Sequence, residues 1–481
     1  MTVPINRQTA KNSQLWPILA LLCASQFMIV LDFSIVNVAL PAMQRDLGFS
    51  QPNLQWIISA YSLTFGGFLL LGGRAADLFG RRRVLMAGLA LFSVASLVGG
   101  LAHLQWVLIV ARGVQGLGGA IISPAALSIL TTTFKEGSQR NRALGIWGAV
   151  AAGGFAAGVL LGGILTDTLS WRWVMFVNVP IGIIAIALAP MLLTESRATP
   201  VTQEIDFVGA ITVTSGLVAL VYTLVKAPET GWLSLQTILS AVISVALLCT
   251  FVAIESRAVA PLMPLAIFRR QTLVAANSIG AVLSAAAGSM IFILTLYMQQ
   301  VLHYSALQTG ISFLPHAMAA IAAAPIGSQL TTKIGIKKTL ICGMIFNIIG
   351  LLLLTGISVS GNFVRELLPG TIVLGFAIVI SIVATTIAAT TGVSDSEQGL
   401  ASGLYNTSQQ VGAAIGLAIL VAIATARTKA LATIGNNSAA LVGGFQYALF
   451  FAASCAAIGL IVAIFVIRES ECHQVASTIH D

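Results

Sequence analysis

The stretch Leu54–Arg83, LQWIISAYSLTFGGFLLLGGRAADLFGRRR, decides the fold. A run of about twenty mostly apolar residues is long enough to cross ~30 Å of hydrocarbon as a helix, and the arginines that close it belong at a membrane surface. Between Trp16 and Ile467 the same unit recurs fourteen times. The spans begin near Trp16, Leu54, Val84, Gln105, Ala143, Trp173, Val208, Leu235, Leu273, Leu307, Thr339, Val364, Gly399 and Gly444. Only 8% of the residues are charged and 57% are hydrophobic, and the mean hydropathy is +0.95. A soluble domain of 481 residues would need a charged surface that this composition does not supply. Lipid is therefore the main solvent, and helices satisfy their own backbone polar groups there. The expected fold class is an all-α integral membrane protein with fourteen transmembrane helices.

The net charge of +8 invites a nucleic-acid reading, but its distribution points to topology instead. With the N-terminus inside, 17 of the 24 basic residues fall in inner segments, among them Arg7, Lys11, Lys135, Arg197, Arg269 and Arg468, and 6 in outer ones. This is the positive-inside bias, and it places both termini in the cytoplasm and the chain in the cytoplasmic (inner) membrane. The first span follows Arg7 and Lys11 without a small-residue cleavage site and reads as an uncleaved signal anchor. The cysteines show neither a disulfide framework nor metal-ligand spacing, so no metal is expected.

The loop after the second span, Gly73-Arg-Ala-Ala-Asp77-Leu-Phe-Gly80-Arg81-Arg82-Arg83, has a counterpart in Gly327–Lys338, where Gly335 lies 255 residues after Gly80. A repeat of that size holds six spans and fits a transporter built from two related bundles. The expected division is a six-helix bundle over 1–200, an inserted pair of helices over 201–256 and a second six-helix bundle over 257–481 with a short cytoplasmic tail. The stretch 194–206 reads as polar loop, 255–270 as a segment along the inner interface, and 426–443 as a flexible outer loop.

Asp32 in the first span and Arg112 in the fourth stand inside apolar runs, where a charge is costly enough to mark a functional candidate. Counting from the span ends, both lie roughly 10 Å below the outer surface. Beside Arg112 the carboxylate stays ionised; parted from it in an apolar cavity, it takes a proton. A permanent structural salt bridge is the alternative. Arg112, Gln115, Gly116, Gly119 and Ser123 share one helix face, polar and small, that suits a partner or a cavity better than lipid. Gly154, Gly158 and Gly162 on the fifth span form a small-xxx-small stripe for close packing or a hinge. Asp77 with Arg81 and Arg82 would latch the cytoplasmic ends, around Gly73 and Gly80. Asn37, Trp56, Tyr61, Tyr297, His316 and Asn406 are candidate cavity residues. No Gly-x-x-x-x-Gly-Lys phosphate loop, HExxH or Ser/His/Asp grouping occurs, so ATP and enzyme chemistry give way to transport driven by an ion gradient.

These residues together resemble the major facilitator superfamily, and more closely its fourteen-span drug:proton antiporter branch. Leu31-Asp32-Phe-Ser-Ile-Val-Asn37-Val-Ala39-Leu40-Pro41 resembles that branch's first-span motif, and Gly73–Arg83 the superfamily's loop motif. Arg112-Gly-Val-Gln115-Gly116-Leu-Gly118-Gly119 resembles the fourth-span motif to which proton transfer is attributed. Trp171-Arg172-Trp173 with Phe176, Asn178, Pro180 and Gly182 resembles a further branch-specific run. The fifth span departs from the pattern: Gly158-Val159 stands where the family usually has Gly-Pro, which implies a straighter helix.

The resemblance implies two six-helix bundles rocking about a central cavity and proton-coupled export of amphipathic drugs, with no cofactor beyond the proton gradient. Expected partners are a small-molecule substrate, protons and the lipid bilayer, with a monomer as the working unit. A periplasmic adaptor is compatible with this reading; nucleic acid is not. Two rivals stand beside it: export of one dedicated metabolite, and a transporter-like receptor or assembly protein that moves nothing.

Overall fold

The computed structural model describes residues 7–134, 138–196, 206–258, 261–263, 270–390, 398–432 and 437–467. All regular structure among them is helical. Among the described residues fourteen helices are long and apolar enough to span a membrane: α1 (Leu15–Leu47), α2 (Gln51–Phe79), α3 (Arg81–Gly100), α4 (Gln105–Thr133), α5 (Arg142–Thr168), α6 (Trp173–Leu192), α7 (Phe207–Thr230), α8 (Leu235–Glu255), α9 (Gln271–Val301), α10 (Ala306–Ile334), α11 (Ile336–Leu354), α12 (Phe363–Thr390), α13 (Leu400–Ala432) and α14 (Asn437–Phe465). Lys135, Arg197, Arg269 and Arg468 lie outside the described residues, as do the side chains of Arg7 and Lys11. The face where α1 begins and α14 ends is called the near face below, and the opposite one the far face.

Helix ends follow local chemistry. Ser305 caps α10, accepting the Gln308 N–H at 3.1 Å while the Gln308 side chain accepts the Ser305 N–H at 2.9 Å. Ser234 and Asp206 cap α8 and α7 from one side only, accepting the Thr237 and Gly209 N–H groups. One expected loop is corrected. The stretch 426–443 is mostly helix, because α13 runs to Ala432 and α14 starts at Asn437, seven residues before the expected Gly444. Gly444 lies against Thr428 and the Ala424 carbonyl, and Gly443 against Leu431. These glycines let two helices pack up to their turn instead of loosening it. Gly435 and Asn436 lie outside the described residues.

Helices α1–α6 pack as one bundle and α9–α14 as another, while α7 and α8 pair and α7 wedges onto both α2 and α13. Trp56 is buried in that wedge with Leu217, Val221 and Ala418. The two bundles meet at α2 with α13 and at α5 with α10. On the far face the seam is tight: Gln299 donates to the Val38 carbonyl at 2.9 Å and Gln300 to the Gln44 side chain at 2.8 Å. Gly163 fits against Ala306 and Leu307, and Gly310 against the Val159 carbonyl. Towards the near face α5 loosens, with open space beside Gly153, Gly148 and Gly145. This conformation is closed on the far side and parted along α5 on the near side.

The segment expected along the interface, 255–270, is described at 255–258, 261–263 and 270; residues 259–260 and 264–269 lie outside the described set. Arg74 on α2 donates to the Pro261 carbonyl at 2.9 Å, and the Met263 N–H donates to Glu255 at 3.1 Å. Leu262 is buried with Leu71 and Ala210. The link from the inserted pair to the second bundle is thereby clamped onto the end of α2.

The repeat has a backbone signature. Gly80 and Gly335 both take positive φ, +104° and +87°, where α2 turns into α3 and α10 into α11. That region suits glycine, since an added Cβ strains the backbone. At Gly80 a Cβ would also crowd the Glu195 carboxylate, whereas nothing lies near it at Gly335. Gly80→Ala is expected to lower stability by ~1–3 kcal/mol, and Gly335→Ala by less. Thermal unfolding of both variants in detergent checks the order.

Candidate functional site

Asp32 and Arg112 meet. Both are fully buried, on facing sides of α1 and α4, and Arg112 Nη1 donates to Asp32 Oδ2. Gln115, one turn along α4, donates to Asp32 Oδ1 at 3.1 Å and to Ser96 Oγ on α3 at 2.7 Å. Asn178 on α6 donates to the same Oδ1 at 2.8 Å. The carboxylate thus takes hydrogen bonds from three side chains on two helices. Arg112 is held in turn by the Ile57 carbonyl of α2 and the Gln115 side-chain oxygen, each at 2.9 Å. Its guanidinium lies over the Tyr61 ring, 4.5 Å from the centroid. Five helices therefore send polar groups into one apolar centre.

A buried ion pair of this kind is stable only while its remaining hydrogen-bonding capacity is met. Arg112 meets that need in part without the carboxylate, through its bonds to the Ile57 carbonyl and the Gln115 side-chain oxygen. Glycine makes the approach of the helices feasible. Gly116 packs onto the Tyr61 carbonyl and Thr64, and Gly119 onto Phe65 and Tyr61. Ser123, farther along the same face, is only partly buried. Gly154, Gly158 and Gly162 all face α1, at Phe27 and Val30, at Leu31 and Ser34, and at Ile35. The stripe seats α5 beside Asp32, while the adjoining Val159 and Gly163 turn to α10 of the other bundle.

Other expected residues are dispersed. Asn37 is buried and donates to the Phe33 carbonyl of its own helix at 2.7 Å. Tyr297 is wholly buried and donates to the Ser358 carbonyl at 2.6 Å, so it ties down a far-face loop instead of lining open space. Trp56 is likewise packed among helices in this conformation, for the apolar wedge of α7 covers it. His316 sits on α10 with Nδ1 3.1 Å from the Thr371 carbonyl and its ring 6.0 Å from Phe155 across the seam between bundles. Asn406, on the near half of α13, is exposed.

Apart from Arg74, which reaches Pro261, the loop motif binds within its own bundle. Asp77 pairs with Arg81 at 3.1 Å, while Arg82 donates to the Leu193 carbonyl at 3.0 Å and, through its N–H, to Glu195 at 3.1 Å. Gly73 packs near Pro124 of α4. Thr332, the counterpart of Asp77, donates only to Ser328 of its own helix. Asn178, Ser96 and Glu195 join these contacts without standing out in the sequence as site residues. Asn178 stood in the Trp171–Gly182 run, yet which side chain of α6 points at α1 depends on helix rotation.

A model described as the Major Facilitator Superfamily matches residues 22–417 and, in a second match, 278–476. The puromycin resistance protein pur8 of Streptomyces alboniger is 37% identical over 433 residues, 89% of this chain and 86% of its own. The cephamycin export protein CmcT of Amycolatopsis lactamdurans is 38% identical over 425 residues, 86% of each chain. Among solved structures, a bacterial homologue of the human lysosomal transporter Spinster, inward-facing and unoccupied, gives a TM-score of 0.65 over 94% of this chain and 97% of that one at 15% identity. That last likeness is one of fold. With a family model spanning most of the sequence, close relatives along nearly the full length and two six-helix bundles around an inserted pair, the chain belongs to the major facilitator superfamily, in its multidrug-efflux family.

Proposed function

We propose that this protein is a proton-driven antiporter that exports amphipathic small molecules across the cytoplasmic membrane by alternating access. The near face is the cytoplasmic one, because Arg74, Arg81–Arg83, Arg140, Arg142, Lys333, Lys337 and Lys338 all belong to near-face ends of spans. The conformation described is then inward-facing. The division into 1–200, 201–256 and 257–481 remains the working one, with Asp77, Arg81 and Arg82 guarding the cytoplasmic side and the Gly154–Gly162 stripe as the sliding contact of α5 on α1.

The observation that carries the reading is the buried knot of Asp32, Arg112, Gln115 and Asn178. An ionised Asp32 keeps α1, α4 and α6 drawn together through charge-assisted hydrogen bonds. In the outward-facing state a proton added to Asp32 removes its charge, and Arg112 falls back on Gln115 and the Ile57 carbonyl. Substrate leaves in that state, and return to the cytoplasmic side strips the proton. Of the candidate cavity residues, Asn406 on α13 is exposed in this conformation, while His316 is buried at the seam beside Phe155 and would meet substrate only when the bundles move.

The test is efflux in everted membrane vesicles with puromycin and ethidium as probes. Uptake into the vesicles should require an acidic interior and collapse when a protonophore is added. Undiminished uptake after the proton gradient is dissipated would overturn antiport. A second reading, export of one dedicated metabolite, draws support from the two relatives above, each named for a single antibiotic. Mutual competition between the chemically unrelated probes favours the broad reading; transport of puromycin alone favours the narrow one.

A further inference from the structure

The far-face seam contains one charged group that the mechanism above leaves unused. Asp167 lies at the end of α5, exposed, and its two carboxylate oxygens accept the N–H groups of Ala306 at 3.1 Å and Leu307 at 2.9 Å. These amides open α10, a helix of the opposite bundle. That helix already has its own reciprocal cap from Ser305 and Gln308, so Asp167 is not needed to form it. What the carboxylate adds is a charge from the first bundle on the positive end of a helix in the second. The other hydrogen bonds that cross the far-face seam among the described residues come from neutral Gln299 and Gln300.

Just below Asp167 the seam has no slack. Gly163 abuts the Ala306–Leu307 backbone, and Gly310 abuts the Val159 carbonyl. Opening the far face must part these contacts and pull α10 from the carboxylate in one motion. Asp167 also lines a far-face vestibule of about 650 Å³, shared with Arg45 of α1 and with His303 and Tyr304 of the turn before α10. On the adjoining α6 side Arg172 is already paired with Asp46 at 2.6 Å. Asp32, by contrast, is sealed from both faces in this conformation.

We propose that Asp167 is the external latch of the transport cycle: its carboxylate holds the start of α10 against α5 and keeps the outside shut, and the far face opens when that contact parts. This deepens the antiport reading and rests on its sidedness. Neutralising the acid removes both the charge–dipole attraction and the charge on the hydrogen bonds, which should move the closed-to-open ratio roughly three- to tenfold.

Spin labels on Leu169→Cys and Val359→Cys, both exposed far-face positions in different bundles, measure the gap by double electron–electron resonance in lipid nanodiscs. The background replaces the five native cysteines with serine and is required to keep transporting ethidium. The parent should be mostly closed. Asp167→Asn should gain open population roughly three- to tenfold, and Asp167→Glu should restore closure. His303→Asn, which alters another side chain of the same vestibule, should leave the distances unchanged. An Asp167→Asn variant with the parent's distances, or a gain of open population in His303→Asn equal to that in Asp167→Asn, would overturn the latch. The distances are read without substrate or proton flux. A working latch in a protein whose efflux ignores the proton gradient would sink antiport and spare the latch, while intact antiport with a gap unchanged by Asp167→Asn would do the reverse.

Discussion

Replacing Asp32 with asparagine is expected to abolish proton-coupled efflux, by at least about a hundredfold, while the protein still reaches the membrane. Asparagine keeps an oxygen where Arg112 donates but can neither carry charge nor exchange a proton. The substitution leaves a buried guanidinium without its counterion. Removing one partner of a buried ion pair typically costs ~3–5 kcal/mol. The cost here should fall at or below the lower end of that range, since Arg112 keeps the Ile57 carbonyl, Gln115 and the Tyr61 ring. The double variant Asp32→Asn/Arg112→Gln removes both charges and should regain thermal stability without regaining transport. That split separates a proton carrier from a structural salt bridge. If the charge-free pair exports ethidium as the parent does, with the same dependence on the pH gradient, the pair only holds helices together.

The second large effect is expected at Gly116. A Cβ there would overlap the Tyr61 carbonyl and the Thr64 hydroxyl, and Thr64 is itself bonded to the Gly113 carbonyl at 2.7 Å. Backbone cannot swing aside as a long side chain can. Gly116→Ala should cost ~1–3 kcal/mol through overpacking, and Gly116→Leu should prevent recovery of folded protein. Gly148 on α5 is the internal control, because open space surrounds its Cβ position. There the change to alanine should be neutral or stabilising by up to ~1 kcal/mol through helix propensity. Opposite signs for the same substitution, read as melting temperatures in detergent, test whether α2 and α4 meet where the structure has them. Equal shifts at the two glycines would place that contact elsewhere.

The position where this chain has Val159 in place of proline acquires a physical context. Its carbonyl and its neighbour Gly163 face α10 across the bundles, whereas Gly154, Gly158 and Gly162 face α1 within one. The glycine stripe and the variant position thus serve different seams, a distinction that spacing alone does not reveal.

The sequence by itself determined the fourteen spans, their repeat and the pairing of Asp32 with Arg112. Each rests on a cost that acts residue by residue: apolar length against bilayer thickness, a positive φ that glycine meets at Gly80 and Gly335, and a charge in hydrocarbon that must find a partner at its own depth. Tertiary structure alone decided which neighbours complete the site. Asn178 reaches Asp32, Glu195 collects the loop arginines, Tyr297 and Trp56 are packed away, and Asp167 crosses to the other bundle. Those outcomes depend on how each helix is rotated about its axis and which helix it meets. In a chain so uniformly apolar, hydrophobic patterning leaves that rotation unspecified, and close packing at small residues together with scarce polar contacts fixes it.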